Sequence, residues 1–333
     1  MDESPRWRHA VHEGEDSPFA HTDPPSDDAP TYRTLTYEVD GRVARLTFNR
    51  PEQGNSITAD TPVEIADAVE RADLDPRVHV IVLSGRGKGF CGGYDLAASA
   101  EHLRDGREVT RGGAGTVLDP AVQSANHDPA GTWDPMVDYA MMSRFTRGFA
   151  SLLHADKPTV AKIHGFCVAG GTDIALHCDQ IVIAADAKIG YPPTRVWGVP
   201  SAGLWAHRLG DQRAKRLLLT GDCLNGREAA EWGLAIEAPE PDALDERTEI
   251  LVQRIAAMPL NQLVMVKLAL NSALLAQGVA NSRLISTVFD GISRHTREGY
   301  AFQQRAAEVG FRQAVRERDA APYDDAGPST NKG

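Results

Sequence analysis

Residues 162–179 read KIHGFCVAGGTDIALHCD, and nothing else in the chain limits its fold as tightly. An apolar, strand-like run ends in a glycine turn, and the turn opens a short apolar helix with one acid, Asp173, in its first turn. A strand that turns this sharply into a helix leaves backbone N–H groups free at Gly170 and Gly171, where aligned peptide dipoles favour negative charge. An oxyanion could sit there. The same two glycines would also serve a tight turn without any chemistry, because glycine accepts close approach at no steric cost. Asp173 carries the same ambiguity, since a carboxylate in the first helical turn is favoured by the dipole alone. If it does catalyse, burial should lift its pKa toward neutrality.

The flanking segments say what kind of core surrounds this turn. Residues 1–31 are rich in Asp, Glu, Pro, Ser and His and cannot bury enough apolar surface to offset ordering, so they read as a tail, as do residues 321–333. TLTYEVDGRVARLTFN alternates about Asp40-Gly41, a hairpin signal. A helix should follow, with Thr61 as N-cap, Pro62 in the first turn, Glu64 closing a capping box, and Ile65, Ala68, Val69 and Ala72 facing inward. VHVIVLSG is a buried strand. Residues 98–134 are irregular and glycine-rich, a loop long enough to be a lid, a binding loop or disordered. A helix over residues 135–154 leads into the central stretch, QIVIAAD supplies another strand, and AKRLLLTG and GREAAEWGL read as short helices. Three or four longer helices fill the end of the chain. The expected architecture is an α/β core over residues 32–240, interrupted at 98–134, with a helical region over 241–320.

Charge and cysteines restrict the partners. A formal net charge of −11 over 333 residues argues against nucleic acid, which requires a positive footprint. Cys91, Cys167, Cys178 and Cys223 stand far apart without ligand spacing, so neither a disulfide framework nor a metal site is expected. With no leader-like start and no apolar run of spanning length, the expectation is a cytoplasmic protein without a membrane partner.

GKGFCG at residues 87–92 matches the dinucleotide fingerprint G-x-G-x-x-G after a strand. The fingerprint needs a helix opening at its third glycine, whereas Gly92-Gly93-Tyr94-Asp95 prolongs the turn. The informative signal is three ordered stretches, each after a buried strand: NRPEQGNSI (49–57), GFCGGYDL (89–96) and HGFCVAGGTDIALHCD (164–179). Together they resemble the crotonase family, the enoyl-CoA hydratase and isomerase superfamily, closely over residues 32–233 and more loosely through REGYAF near the end.

That resemblance implies a ββα spiral core and a C-terminal helical region that packs subunits into homotrimers and often hexamers. It implies an acyl-CoA substrate, with CoA as part of that substrate and no other cofactor. By motif position the thioester oxygen would accept the backbone N–H groups of Tyr94 and Gly170, and Asp173 would handle a proton or water. CoA would lie along Asn55, Ser56, Ile57, Gly92, Asp95, Leu96 and Gly171, with Arg50, Arg86 and Lys88 as phosphate partners. Asp95 could instead simply cap its own turn.

Hydration in this family uses two glutamates, and here the pattern departs. The first falls at Asp173, one methylene shorter. The second would fall near Pro193 or Thr194, and no acid stands between Asp186 and Asp211. Asp134, Asp138 and Tyr191 are substitutes to be judged by geometry, and Trp133, Trp197 and Trp205 suggest a reshaped acyl pocket. Enoyl-CoA hydratase is the reading, with two alternatives: a related isomerase, hydrolase or ring-forming enzyme lacking the second glutamate, or a catalytically silent acyl-CoA binder.

Overall fold

The computed structural model describes residues 18–19, 22–23, 30–95 and 113–320. Leu96, most of the N-terminal tail, the first part of the 98–134 segment and residues 321–333 lie outside the described residues.

The hairpin forms as its turn chemistry requires. Strand β1 (Leu35–Asp40) pairs antiparallel with β2 (Val43–Phe48), Asp40 opposite Val43. From β2 the sheet continues in parallel through β3 (Val80–Gly85), β4 (Thr159–Ile163) and β6 (Gln180–Ile183), giving the order β1-β2-β3-β4-β6. Val80, Ile81, Val82 and Leu83 are all buried, as expected of a strand covered on both faces. A second sheet holds β5 (Phe166–Val168), β7 (Lys188–Gly190) and β8 (Cys223–Asn225) in the order β5-β7-β8. The central stretch crosses between the sheets. It leaves the first in β4, enters the second in β5, and runs through helix α4 (Gly170–Leu176) back to β6.

Helix α1 (Thr61–Leu74) buries Ile65, Ala68, Val69 and Ala72, the face its periodicity marked. Its start differs from the expected capping box. Asp60 is the cap residue, and Thr61 Oγ1 instead accepts the Thr58 N–H at 3.0 Å. The Glu64 carboxylate accepts the backbone N–H groups of Arg33 (2.6 Å) and Thr34 (2.8 Å), so it anchors the chain entering β1. Helix α3 (Pro135–His154) packs on α1 closely enough that a Cβ at Gly148 would lie 2.4 Å from Pro62. Its buried Phe149 and Leu152 each contribute roughly 2–3 kcal/mol of transfer free energy.

The described part of the inserted segment is ordered by helix α2 (Pro120–Asn126), whose N-cap Asp119 accepts the Ala121 N–H at 2.9 Å. The two short helices expected around residue 220 also change. AKRLLLTG is the end of α5 (Ala202–Thr220), which kinks at Gly210, while α6 (Gly226–Trp232) stands alone. Five helices follow rather than three or four: α7 (Leu244–Ala256), α8 (Leu260–Ala276), α9 (Val279–Ser293), α10 (Arg297–Val309) and α11 (Phe311–Ala320). Lys267 fastens α8 to the core, donating to the Lys157 carbonyl at 2.9 Å and pairing with Asp179 at 2.9 Å. Helix α9 lies against α3, where Thr287 Oγ1 donates to Thr146 Oγ1 at 3.3 Å. Among the described residues no single helix is long and apolar enough to cross a membrane.

Candidate active site

Two backbone segments meet where the sequence placed an oxyanion. Residues 91–94 run beside β5, and Ile57 forms a parallel bridge with Tyr94. That bridge uses the N–H groups of Ile57 (to Gly93 O, 2.8 Å) and Asp95 (to Ile57 O, 2.9 Å) and leaves the Tyr94 N–H without an acceptor among the described residues. Gly170 opens α4, so its N–H has no intrahelical partner either. The two peptides are neighbours: a Cβ on Gly93, at φ +97°, would lie 2.7 Å from Ala169 Cβ and 3.4 Å from Gly170 N. Ala169, the residue before Gly170, stands at φ 53° and ψ −132°. Such backbone costs a non-glycine residue roughly 1–3 kcal/mol and concentrates at functional sites. A Cβ at Gly170 would meet the Tyr94 ring at 2.7 Å, and one at Gly171 would meet the Cys91 carbonyl at 2.6 Å. Small residues are required at both positions.

Beside this pair of donors lies a narrow cleft with a free volume of about 10 Å³. Tyr94, Asp173, Tyr191, Val199 and Ser201 form one side. Met142 and Thr146 from α3, with Ser286, Thr287 and Asp290 from α9, form the other. Asp173 is 5% exposed, and its Oδ1 accepts the Ser201 N–H at 2.7 Å. Burial pushes this carboxyl up to about 7, against the Ser201 hydrogen bond, and the negative charge of Asp290 adds to the rise. Burial, reinforced by the two carboxylates, holds the Tyr94 and Tyr191 hydroxyls well above their ordinary value, so both remain donors.

Asp290 is the residue that the sequence did not single out. It sits on α9, in the helical end of the chain, and its Oδ1 accepts the Val199 N–H at 2.9 Å. Burial raises its carboxyl too, opposed by Arg294 one turn along the helix and by the Val199 N–H. Nothing local in VANSRLISTVFDGIS distinguishes this acid from a solvated one; only its position against α3 and the 199–201 segment does.

Several residues named from the motifs are committed to the fold. The Asn55 side chain donates to the Arg86 and Gly89 carbonyls, both at 2.9 Å, and accepts the Arg50 N–H at 3.0 Å. Arg50 holds the Ser56 carbonyl at 2.6 Å and pairs with Asp95 at 2.7 Å, so both its charge and that of Asp95 are engaged. Gly92 N donates to Gly54 O at 2.9 Å. Arg86 and Lys88 lie exposed on the next turn.

The candidate substitutes resolve as follows. Asp134 is the N-cap of α3, accepting the Met136 N–H at 2.9 Å. Asp138 accepts Trp133 Nε1 and His295 Nε2, each at 2.8 Å, and pairs with Arg294 at 3.2 Å. It ties the inserted segment to the end of α9. His177 Nδ1 donates to the Asp173 carbonyl at 2.6 Å, and burial holds this imidazole down at about 4, in its neutral form. None of the three tryptophans lines the cleft: Trp133 stacks on His295, Trp197 packs edge-on to Phe302, and Trp205 is fully buried in the core. The wall facing Asp173 is instead rich in hydroxyl groups.

Known proteins resemble this chain over most of its length. A family model described as enoyl-CoA hydratase/isomerase matches residues 38–118 and 134–307, breaking at the inserted segment. A crystal structure of an enoyl-CoA hydratase from Mycobacterium smegmatis is 68% identical, with a TM-score of 0.80, over 86% of this chain and 94% of that one. The (E)-benzylidenesuccinyl-CoA hydratase of Thauera aromatica is 28% identical over 292 residues, 82% of this chain and 97% of that protein. The 1,2-epoxyphenylacetyl-CoA isomerase of Escherichia coli is 27% identical over 240 residues, 71% of this chain and 80% of that protein.

Proposed function

The chain belongs to the enoyl-CoA hydratase/isomerase family, and from that membership we propose that it hydrates a 2-enoyl-CoA through an enolate held by the Tyr94 and Gly170 N–H groups. The observation that carries the reading is the juxtaposition of these two unpaired backbone donors with a buried acid, Asp173, at one cleft. Addition of water to C3 sends an electron pair onto the thioester oxygen, and preorganised donors aimed at that oxygen stabilise the charge as it develops. Asp173, held neutral up to about pH 7 by burial, then delivers a proton to C2. CoA is part of the substrate, and the reaction as proposed draws on no further cofactor. Gly92, Asp95 and the 55–57 turn supply a backbone wall for the pantetheine arm. The exposed Arg86 and Lys88 supply charge for its phosphates.

The test is loss of the conjugated thioester absorbance when the protein is mixed with crotonyl-CoA and with aryl-substituted enoyl-CoAs. Saturable turnover to a 3-hydroxyacyl-CoA is expected. Turnover to another product transfers the oxyanion site to an isomerase, hydrolase or ring-forming reaction. Tight binding without turnover leaves a silent binder, and no binding overturns the acyl-CoA reading altogether.

The same family membership supports assembly into a homotrimer or a hexamer. Helix α8 exposes Met265, Val266, Leu268 and Leu270, and α9 exposes Leu284, Ile285 and Phe289, all at about half or more of their full area. Apolar surface gathered this way marks a protein interface. Light scattering on a sizing column is expected to give three or six times the 36.0 kDa chain mass, and a monomer at micromolar concentration would refute the assembly.

A further inference from the structure

We propose that Asp290 is the second proton-transfer group of this site, acting on the attacking water while Asp173 acts on C2 of the acyl group. The inference rests on the acyl-CoA reading above. It begins from one short segment. Val199 and Ser201 are separated by a single residue, and each gives its N–H to a different acid: Val199 to Asp290 Oδ1 at 2.9 Å, Ser201 to Asp173 Oδ1 at 2.7 Å. Two residues of chain span at most about 7 Å, so one strap holds both carboxyl groups beside one cleft. Each acid accepts one N–H of the strap through Oδ1, and both residues line the one cleft.

The surroundings divide the labour. Asp290 faces Arg294 on its own helix, Asp138 across α3, Asp173 on α4, and the Tyr94 and Tyr191 hydroxyls. Arg294 favours the ionised form of Asp290, whereas no cation stands among the groups acting on Asp173. Burial raises both carboxyls, and Arg294 beside Asp290 is the one cation acting on the pair, which biases a shared proton toward Asp173. In the step that follows, ionised Asp290 takes a proton from water as the water oxygen bonds to C3. The C2–C3 π pair moves to the thioester oxygen at Tyr94 and Gly170. Protonated Asp173 gives its proton to C2 as the enolate collapses. One water is consumed, and before the next turnover Asp290 releases its proton to solvent and Asp173 takes one up.

Asp290 also steadies the strap, so the decisive variant must keep that hydrogen bond. Asp290→Asn does, because its amide oxygen still accepts the Val199 N–H. The wild-type rate of crotonyl-CoA hydration should follow a bell whose two limbs belong to the acid pair, because the step needs Asp290 ionised and Asp173 protonated. In Asp290→Asn the hydration kcat should drop by about 10²–10⁴ and the rising limb should disappear. Exchange of the C2 hydrogen of butyryl-CoA in D2O, which needs no attacking water, should fall far less, so the hydration-to-exchange ratio drops by about 10². A purely structural role predicts the opposite pattern, with both rates falling together and the bell retained, and that result overturns the proposal. Hydration by Asp290→Asn within about threefold of wild type overturns it as well. In either of those cases the wild-type enzyme still hydrates; no wild-type hydration at all removes the underlying reading instead.

Discussion

Asp173→Asn should lower kcat for hydration by about 10²–10⁴ while leaving KM for the enoyl-CoA within a fewfold of wild type. The amide keeps the shape of the carboxyl and still accepts the Ser201 N–H, so the cleft survives and only the exchangeable proton is lost. The same substitution should make the protein more stable at high pH. Burial has moved this carboxyl from 3.8 to about 7, so between those values the folded chain holds a proton that the unfolded chain has released. Stability therefore falls as pH rises through that window and levels off above it. The penalty carried by wild type above the window is on the order of 4 kcal/mol. Urea unfolding at about pH 8 should show Asp173→Asn more stable than wild type, and the gap should close toward about pH 4. An inactive variant with no such pH-dependent gain would mean that Asp173 is not ionising in a buried site. A variant with near-normal kcat would remove it from the chemistry.

Gly93→Ala should cost about 10²–10³ in kcat, the usual consequence of losing one oxyanion donor. The glycine stands at φ +97°, which side chains rarely tolerate, and its new methyl would press on Ala169 Cβ at 2.7 Å. The methyl is a wedge between the two segments that carry the Tyr94 and Gly170 N–H groups. A saturated acyl-CoA should still bind, because the CoA wall proposed on residues 55–57 is untouched. The spectroscopic signature should change, however: a cinnamoyl thioester polarised by two aligned donors absorbs at longer wavelength when bound, and in Gly93→Ala that red shift should shrink. A full red shift together with full activity would show that the oxygen is held elsewhere.

The parts of this site that were legible in the sequence are those that neighbours along the chain determine. Gly170, Gly171 and Asp173 follow from one turn and one short helix. Tyr94 follows from its motif, and α1 from the spacing of Ile65, Ala68, Val69 and Ala72. The raised carboxyl of Asp173 was foreseeable once a buried helix was expected there. What escaped depends on distant partners. Glu64 has the spacing of a capping box, yet two N–H groups at the mouth of β1 compete for its oxygens and win. The Asn55 side chain is the staple between two loops, a role its motif position did not announce. The tryptophans suggested a bulky acyl wall, but their side chains went to the core and to the helical end. Asp290 was invisible because an acid on an amphipathic helix is ordinarily a solvated one. Only the packing of α9 on α3 turns it toward Asp173.

One property of the two N–H donors reaches beyond the reaction itself. They belong to the main chain, fixed by β5, the Ile57 bridge and close glycine contacts, whereas the two acids are side chains from segments far apart in the sequence. On the proposed reading, activation of the thioester rests on main-chain atoms and the choice of reaction on side chains, even though Asp173 shares a helix with Gly170. A library randomised at Asp173, Tyr191 and Asp290 would explore different fates of the enolate without disturbing the apparatus that creates it. Such modularity gives a starting point for redirecting this protein, by design or by drift, from one acyl-CoA transformation to another.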